Sequence, residues 1–287
     1  MRTAAVRAER SVPAFIPPQL CHTLPPGATL AAYRATHICE EKFDGARIVA
    51  CVLRGVDVEA WSRPRAAVGG GTQPPCPKRL GAAVRAALLR LPDGVYDGEI
   101  VVPRIPGAVK GRGRLTDDES AVCHLFDVLE VFGQSTVSLP WTARRGLLEQ
   151  AVAHTADPVR ITKVLPVSQR TVDSVWRRGG EGVLLKDRSS SYEPGYRSHA
   201  WLKVKALATA VLTVTGFKAG LTGPYASFVL RNDEGTETTV GSNWNHRTLP
   251  PDAYIGRRVQ IEFQKRTVSG SYRHPRLDRL VDEEERP

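Results

Sequence analysis

At Lys205 the texture of the chain changes, and no other feature limits the architecture as much. Beyond it, short β-prone runs at residues 210–217, 226–231, 237–241 and 257–264 are separated by Gly, Pro and Asn-Asp. Runs of this kind between turn formers read as strands. Several of them at that spacing, within residues 206–287, predict a small all-β barrel of the OB type. Before Lys205, strand-like and helix-like segments alternate, which predicts a separate α+β domain over residues 1–205.

Within the first part, Ile48-Val49-Ala50-Cys51-Val52-Leu53 is a continuous apolar run, followed by Arg54-Gly55 as a turn and residues 56–61 as an alternating return strand. Residues 95–102, 123–129, 181–186 and 201–205 are further strands. Residues 80–91 carry apolar side chains at helical spacing, and residues 144–153 and 171–178 are further helix candidates. Prolines 13, 17 and 18 exclude a helix from the first twenty residues, and residues 69–77, rich in Gly and Pro, read as a loop.

Charge and cysteines narrow the class. The formal net charge is +10, and it is uneven: residues 1–205 hold 29 Lys+Arg against 20 Asp+Glu, residues 206–287 hold 11 against 10. A basic first domain favours a polyanionic partner. No run approaches the roughly 18 apolar residues of a membrane span, and the first seven residues lack the apolar core of a secretory signal. Cys21, Cys39, Cys51, Cys76 and Cys123 are odd in number and contain no Cys-x-x-Cys pair, which argues against a disulfide framework and a zinc site. The expected compartment is the cytoplasm.

Four stretches carry chemistry. Glu40-Glu41-Lys42-Phe43-Asp44-Gly45-Ala46-Arg47 comes first, then Asp97-Gly98-Glu99, Glu181-Gly182-Val183-Leu184-Leu185-Lys186 and Trp201-Leu202-Lys203-Val204-Lys205. Only nine of the 40 Lys+Arg residues are lysines, and four of those nine lie in these stretches. Arginine cannot act as an amine nucleophile because its guanidinium stays protonated, so this distribution points to lysine chemistry. Carboxylates that can hold a metal, and fixed cations for phosphate oxygens, are the other requirements of phosphoryl transfer. Taken alone, Asp44-Gly45 reads equally as a hairpin turn.

In this order the stretches resemble the ATP-dependent DNA ligases of the covalent nucleotidyltransferase superfamily. The resemblance implies an ATP-grasp-like adenylation domain of antiparallel sheets and helices, followed by the OB-fold. It implies Lys42 as the nucleophile that attacks the ATP α-phosphate and holds AMP as a phosphoramidate. It also implies nucleotide contacts from Glu40, Arg47, Glu99, Phe126, Lys203 and Lys205, with Phe126 stacking on adenine, and a divalent metal, Mg²⁺ or Mn²⁺, on Glu99 and Glu181. Ser62-Arg63 is similar to the family's nick-phosphate motif. Arg63, Arg197 and the basic loop Lys110-Gly111-Arg112-Gly113-Arg114 are the implied contacts to nicked duplex DNA.

The connection Ser191-Tyr192-Glu193-Pro194-Gly195-Tyr196-Arg197-Ser198 is similar to that of DNA ligases rather than capping enzymes. The implied activity is sealing of 5′-phosphate/3′-hydroxyl nicks by a monomer. RNA ligation or mRNA-capping-type nucleotidyl transfer, and a nick-binding protein impaired in catalysis, are the alternatives. The final family motif ends arginine-x-aspartate-lysine, whereas this chain reads Arg279-Leu280-Val281-Asp282-Glu283, without the lysine that assists self-adenylylation.

Overall fold

The computed structural model describes residues 11–25, 27–63, 74–102, 116–205, 208–220, 223–241, 251–263, 265–266 and 270–281. It divides into two compact units, Met1–Val204 and Lys205–Pro287. In chain order the first unit begins with β1 (Leu20–Thr23), β2 (His37–Glu41), β3 (Ala46–Leu53), β4 (Asp57–Ser62) and β5 (Cys76–Lys78). Helix α1 (Ala82–Leu88), β6 (Gly94–Val101), β7 (Val122–Val131), β8 (Gln134–Ser135) and α2 (Trp141–Val152) follow. Then come β9 (Val159–Ile161), β10 (Val164–Leu165), α3 (Gln169–Arg177), β11 (Gly182–Asp187) and β12 (Arg197–Lys205).

These strands form two sheets. One has the order β1-β12-β11-β2-β10; the other runs β5-β4-β3-β6-β7-β8, with β9 alongside β7. Most of the resolved pairings are antiparallel, but β1–β12 and β7–β9 are parallel. The continuous apolar run of β3 follows from burial on both faces. Ile48, Ala50 and Val52 join Val84, Leu88 and Leu148 of α1 and α2 on one side, while Val49 and Cys51 face the other. That second side meets Leu184, Ala200 and Trp201 of the companion sheet, so the two sheets pack face to face. On the companion sheet's far side, Cys39, Val183, Leu185 and Leu202 pack against Val172 and Val175 of α3. Burying one such Val or Leu side chain contributes about 1.5–3 kcal/mol.

Three local differences from the sequence expectation have clear causes. Residues 76–78 are a strand and not loop: they pair with the end of β4 (Ser62↔Cys76), and Pro77 is tolerated because β5 is the sheet edge. Helix α2 begins at Trp141, three residues early, since its N-cap is Pro140, which gives no polar capping signal. Helix α3 begins at Gln169 because the Ser168 hydroxyl accepts from Thr171 N at 3.2 Å.

Among its described residues the second unit is built of strands and one 3-10 turn, Pro251–Tyr254. Its strands are β13 (Ala208–Gly220), β14 (Gly223–Arg231), β15 (Glu237–Gly241), β16 (Arg258–Phe263), β17 (Lys265–Arg266), β18 (Tyr272–Arg273) and β19 (Arg276–Leu280). The sheet order β15-β14-β13-β16-β19 makes β13 the shared strand of a meander and of a returning pair, which is the OB-type order. Register shifts around Gly216 and Gly220 let the long β13 bend, and Leu212, Val214, Phe228, Leu230 and Ile261 fill the interior.

Candidate active site

Strand β2 ends at Glu41, and Lys42 continues it by donating its backbone N–H to Gly182 O at 2.9 Å. Because β2 and β11 pair with Glu41 opposite Val183, Glu181 is delivered beside Lys42. Lys42 Nζ donates to Glu181 Oε2 at 2.5 Å, with the lysine side chain 26% exposed and the glutamate 15%. A reactive amine and a carboxylate, 139 residues apart, thus meet where solvent still reaches them.

Asp44-Gly45 makes no hairpin turn. Gly45 is required by close approach: a Cβ there would collide with the Ile100 carbonyl of β6. Its N–H donates to Glu99 Oε1 at 2.8 Å. Burial raises the Glu99 pKa above the ordinary carboxylate range; the Gly45 N–H, Lys42 and Arg47 oppose this, while Glu181 adds to it. Lys42, Glu99 and Glu181 therefore share one electrostatic neighbourhood.

Arg47 lies opposite Glu99 in the β3–β6 register and reaches Asp97. The contact is a fork, Nε to Oδ1 at 2.8 Å and Nη2 to Oδ2 at 2.5 Å. Burial opposes the guanidinium charge most strongly, but Asp97, together with Tyr192 and Glu99, outweighs it, and the Arg47 pKa moves up. Arg47 also sits 4.9 Å from the Phe126 ring centroid and 5.7 Å from that of Trp201, within cation–π range. The Tyr192 hydroxyl donates to Asp97 Oδ2 at 2.5 Å and accepts from Gln19 N at 2.8 Å.

Deeper between the sheets, Lys186 Nζ pairs with Glu40 Oε2 at 2.7 Å, the side chains being 0% and 2% exposed. Lys186 also donates to Phe126 O at 3.2 Å and lies over the Phe126 and Trp201 rings. Arg145 Nη1 approaches Glu40 Oε1 at 3.5 Å. Burial pushes the Glu40 pKa up, and Lys186 and then Arg145 pull it back. Glu40 Oε1 is buried without a hydrogen-bond partner, as is the Trp201 indole N–H. An unpaired buried acceptor of this kind is costly unless something donates to it.

The structure thus brings together Lys42, Glu181, Glu99, Arg47, Glu40 and Phe126. Lys203 lies on β12 opposite Thr23, half-buried, whereas Lys205 is the first residue of the second unit. Arg63 is exposed just past β4. Arg197 Nη1 donates to Cys21 O at 2.5 Å, tying β1 to β12. Lys110, Arg112 and Arg114 lie outside the described residues. Asp97, Lys186, Tyr192 and Trp201 had no assigned role in the sequence reading; all four lie in or beside the quoted motifs, but their partners are fixed by register. Among the described residues no three His, Cys, Asp or Glu side chains gather as a metal cluster. A cavity of about 280 Å³ lined by Arg34, His37, Val167, Ser168 and Arg188 sits at the opposite end of β2 and is not part of this group.

Residues 18–205 match the family described as "ATP dependent DNA ligase domain", and the match spans more than half of the chain. The chain belongs to the ATP-dependent DNA ligase family. It is 31% identical over 197 residues to a "Probable DNA ligase" of Mycobacterium sp. (strain KMS), covering 64% of this chain and 36% of that protein. It is 29% identical over 222 residues to "DNA ligase C2" of Mycolicibacterium smegmatis, covering 70% of this chain and 60% of that protein. The chain therefore spans about a third of the first of these relatives. Among solved structures it is similar to that reported as "DNA binding with a minimal scaffold: Structure-function analysis of Lig E DNA ligases", with a TM-score of 0.67, 18% identity, and coverage of 93% of this chain and 100% of that one. The structure "mycobacterial DNA ligase D complexed with ATP and MES" gives a TM-score of 0.53 at 21% identity, covering 93% and 95%. These two likenesses establish the fold: an adenylation-type α+β unit and an OB-type unit.

Proposed function

We propose that this chain is an ATP-dependent DNA ligase that seals 5′-phosphate/3′-hydroxyl nicks through AMP carried on Lys42. The observation that carries the reading is the Lys42 amine, 2.5 Å from Glu181 Oε2 and beside Glu99, in a domain of this family. In the first step the unprotonated Nζ attacks the ATP α-phosphorus, the N–P bond forms, and the bond to pyrophosphate breaks. Glu181 Oε2 is placed to take the amine proton. In the second step a nick 5′-phosphate oxygen attacks the AMP phosphorus and displaces Lys42; in the third the 3′-hydroxyl attacks the phosphorus of that 5′-phosphate, its proton is lost to a base, and AMP leaves. All three are in-line phosphoryl transfers, governed by positioning and charge neutralisation.

The residues present fit both small partners. Glu40 Oε1, buried without a hydrogen bond although Arg145 lies 3.5 Å away, is assigned to the exocyclic amino group of adenine, and Phe126, with Arg47 and Lys186 held against its ring, is assigned to stacking on the base. Glu99 and Glu181 supply two hard carboxylate ligands, the usual protein share for Mg²⁺, or Mn²⁺, that also holds substrate phosphates. Bound there, the metal would neutralise charge on those phosphates. Lys203 and Lys205 are assigned to the phosphate groups, with residues 1–205 as catalytic domain and 206–287 as OB domain. Arg63, Arg197 and the Lys110-to-Arg114 loop are assigned to the DNA backbone.

The enzyme is proposed to act as a cytoplasmic monomer, consistent with five unbridged cysteines. No helix among the described residues is long and apolar enough to cross a membrane. The test is sealing of a labelled nicked duplex with ATP and Mg²⁺. Joined product supports the reading, and absence of both joining and protein-bound AMP refutes it. A pre-adenylylated nick in a parallel reaction isolates the second reading, impairment of the first step alone, motivated by the missing final-motif lysine.

A further inference from the structure

We infer that the stacked rings of Phe43 and His124 form a clamp that positions the Lys42 nucleophile; this rests on the lysyl-AMP reading above. Residues 42–45 join β2 to β3 and belong to neither strand, so the sheets alone do not fix the conformation next to Lys42. Besides the Lys42 bonds to Gly182 O and Glu181, two contacts tie this segment to β6 and β7. Gly45 N donates to Glu99, and the Phe43 ring lies on the His124 imidazole with centroids 4.0 Å apart and planes 24° from parallel. Glu99 and His124 are direct cross-strand partners on β6 and β7. The connecting segment is therefore pinned at two points to one stiff pair of strands, and Phe43 is the residue bonded to Lys42.

The chemistry of His124 suits a stacking platform. Burial, then the nearby Arg160 charge, lowers its pKa to about 4, so at neutral pH it is an uncharged aromatic ring. Near-parallel aromatic pairs gain from contact beyond their buried area. His124 touches the Lys42 segment through Phe43 and lies across the strands from Glu99, so it is a positioning residue. In-line attack demands placement to within an ångström, and a lapse of that size costs up to about 100-fold in rate.

The experiment compares His124→Ala with His124→Phe, which restores a ring without an imidazole. At saturating ATP, His124→Ala should form lysyl-AMP between about 10- and 100-fold more slowly than wild type, with the KM for ATP and the sealing of a pre-adenylylated nick each within about twofold. His124→Phe should recover to within about threefold. Normal adenylylation in His124→Ala overturns the clamp. So does His124→Phe being as slow as His124→Ala, or adenylylation, pre-adenylylated sealing and Tm all falling together. Should wild type form no lysyl-AMP, the lysyl-AMP reading fails and the clamp is read without ATP. Lys42 is then labelled with pyridoxal phosphate and borohydride and mapped by mass spectrometry. Labelling several-fold faster in His124→Ala but not in His124→Phe supports the clamp, and equal rates in all three proteins overturn it.

Discussion

Replacing Lys186 by Met should destabilise the first unit strongly, because it strands a buried carboxylate. Lys186 and Glu40 are 0% and 2% exposed and 2.7 Å apart. Removing one member of such a pair costs about 3–5 kcal/mol, most of it the penalty of leaving the other charge buried. Arg145 remains 3.5 Å from the same carboxylate, which places the expected loss at the lower end, about 3 kcal/mol. For a unit of this size about 1 kcal/mol moves Tm by roughly 2–4 °C, so the melting midpoint should drop by roughly 6–12 °C. Circular-dichroism melts and urea titrations at constant salt measure it.

The effect should depend on pH in a defined direction. Burial raises the folded-state Glu40 pKa above its unfolded value near 4.3, and loss of Lys186, which opposes that rise, lifts it further. An acid with a raised folded-state pKa contributes stability that is fully present below its unfolded pKa and is lost as pH rises through the folded one. The deficit of Lys186→Met against wild type should therefore be largest at pH 8 and shrink toward pH 5. The double variant Glu40→Leu/Lys186→Met, which strands no carboxylate and leaves Arg145 paired with Glu149, should recover at least half of the loss. A deficit under about 1 kcal/mol, or one that is flat from pH 5 to pH 8, would refute the reasoning.

The other predictions concern chemistry and DNA. Glu181→Ala should lower adenylylation at least about 100-fold with little change in Tm, since its carboxylate lies at a partly open site; normal sealing across a Mg²⁺ titration would remove Glu181 as a metal ligand. Phe126→Ala should raise the KM for ATP by about 5- to 100-fold, the worth of roughly 1–3 kcal/mol of stacking, and an unchanged KM would place adenine elsewhere. Gly45→Ala should be poorly folded or inactive because its Cβ meets the Ile100 carbonyl, and a variant with wild-type melting and labelling would contradict that crowding. Replacing Lys110, Arg112 and Arg114 together by Ala should flatten the salt dependence of nicked-duplex binding by up to about three in log–log slope while leaving adenylylation intact, and an unchanged slope would exclude the loop from the footprint.

Much of this was legible in the sequence for a physical reason. The run around Lys42, the Asp97-Gly98-Glu99 triplet and Glu181-Gly182 each pair a reactive side chain with glycine: backbone passes close by at Gly45 and Gly98, and Gly182 has a positive φ of 142°. The texture change lies at Lys205, the residue with which the second compact unit begins. What lay hidden was contact across register and between faces. Lys186 looked like one more motif cation, but the face-to-face packing of two sheets buries it against Glu40 and over Phe126 and Trp201. Asp97 reads as part of a strand until the β3–β6 pairing, with Arg47 opposite Glu99, brings the Arg47 side chain diagonally onto it. Phe43 and His124, 81 positions apart, carry no local signal of their stack. The strand at Cys76–Lys78 was obscured by Pro77, which an edge position permits.

The account turns on one bond, that between Lys42 Nζ and AMP. The protein should be incubated with ATP labelled at the α-phosphate and Mg²⁺, denatured, digested and mapped, with Lys42→Arg in parallel. The structure leads us to expect one acid-labile adenylate on the peptide containing Lys42, and none on Lys42→Arg, whose guanidinium keeps the charge but is not a nucleophile. An adenylate on another residue, or label retained in Lys42→Arg, would contradict the assignment at its centre.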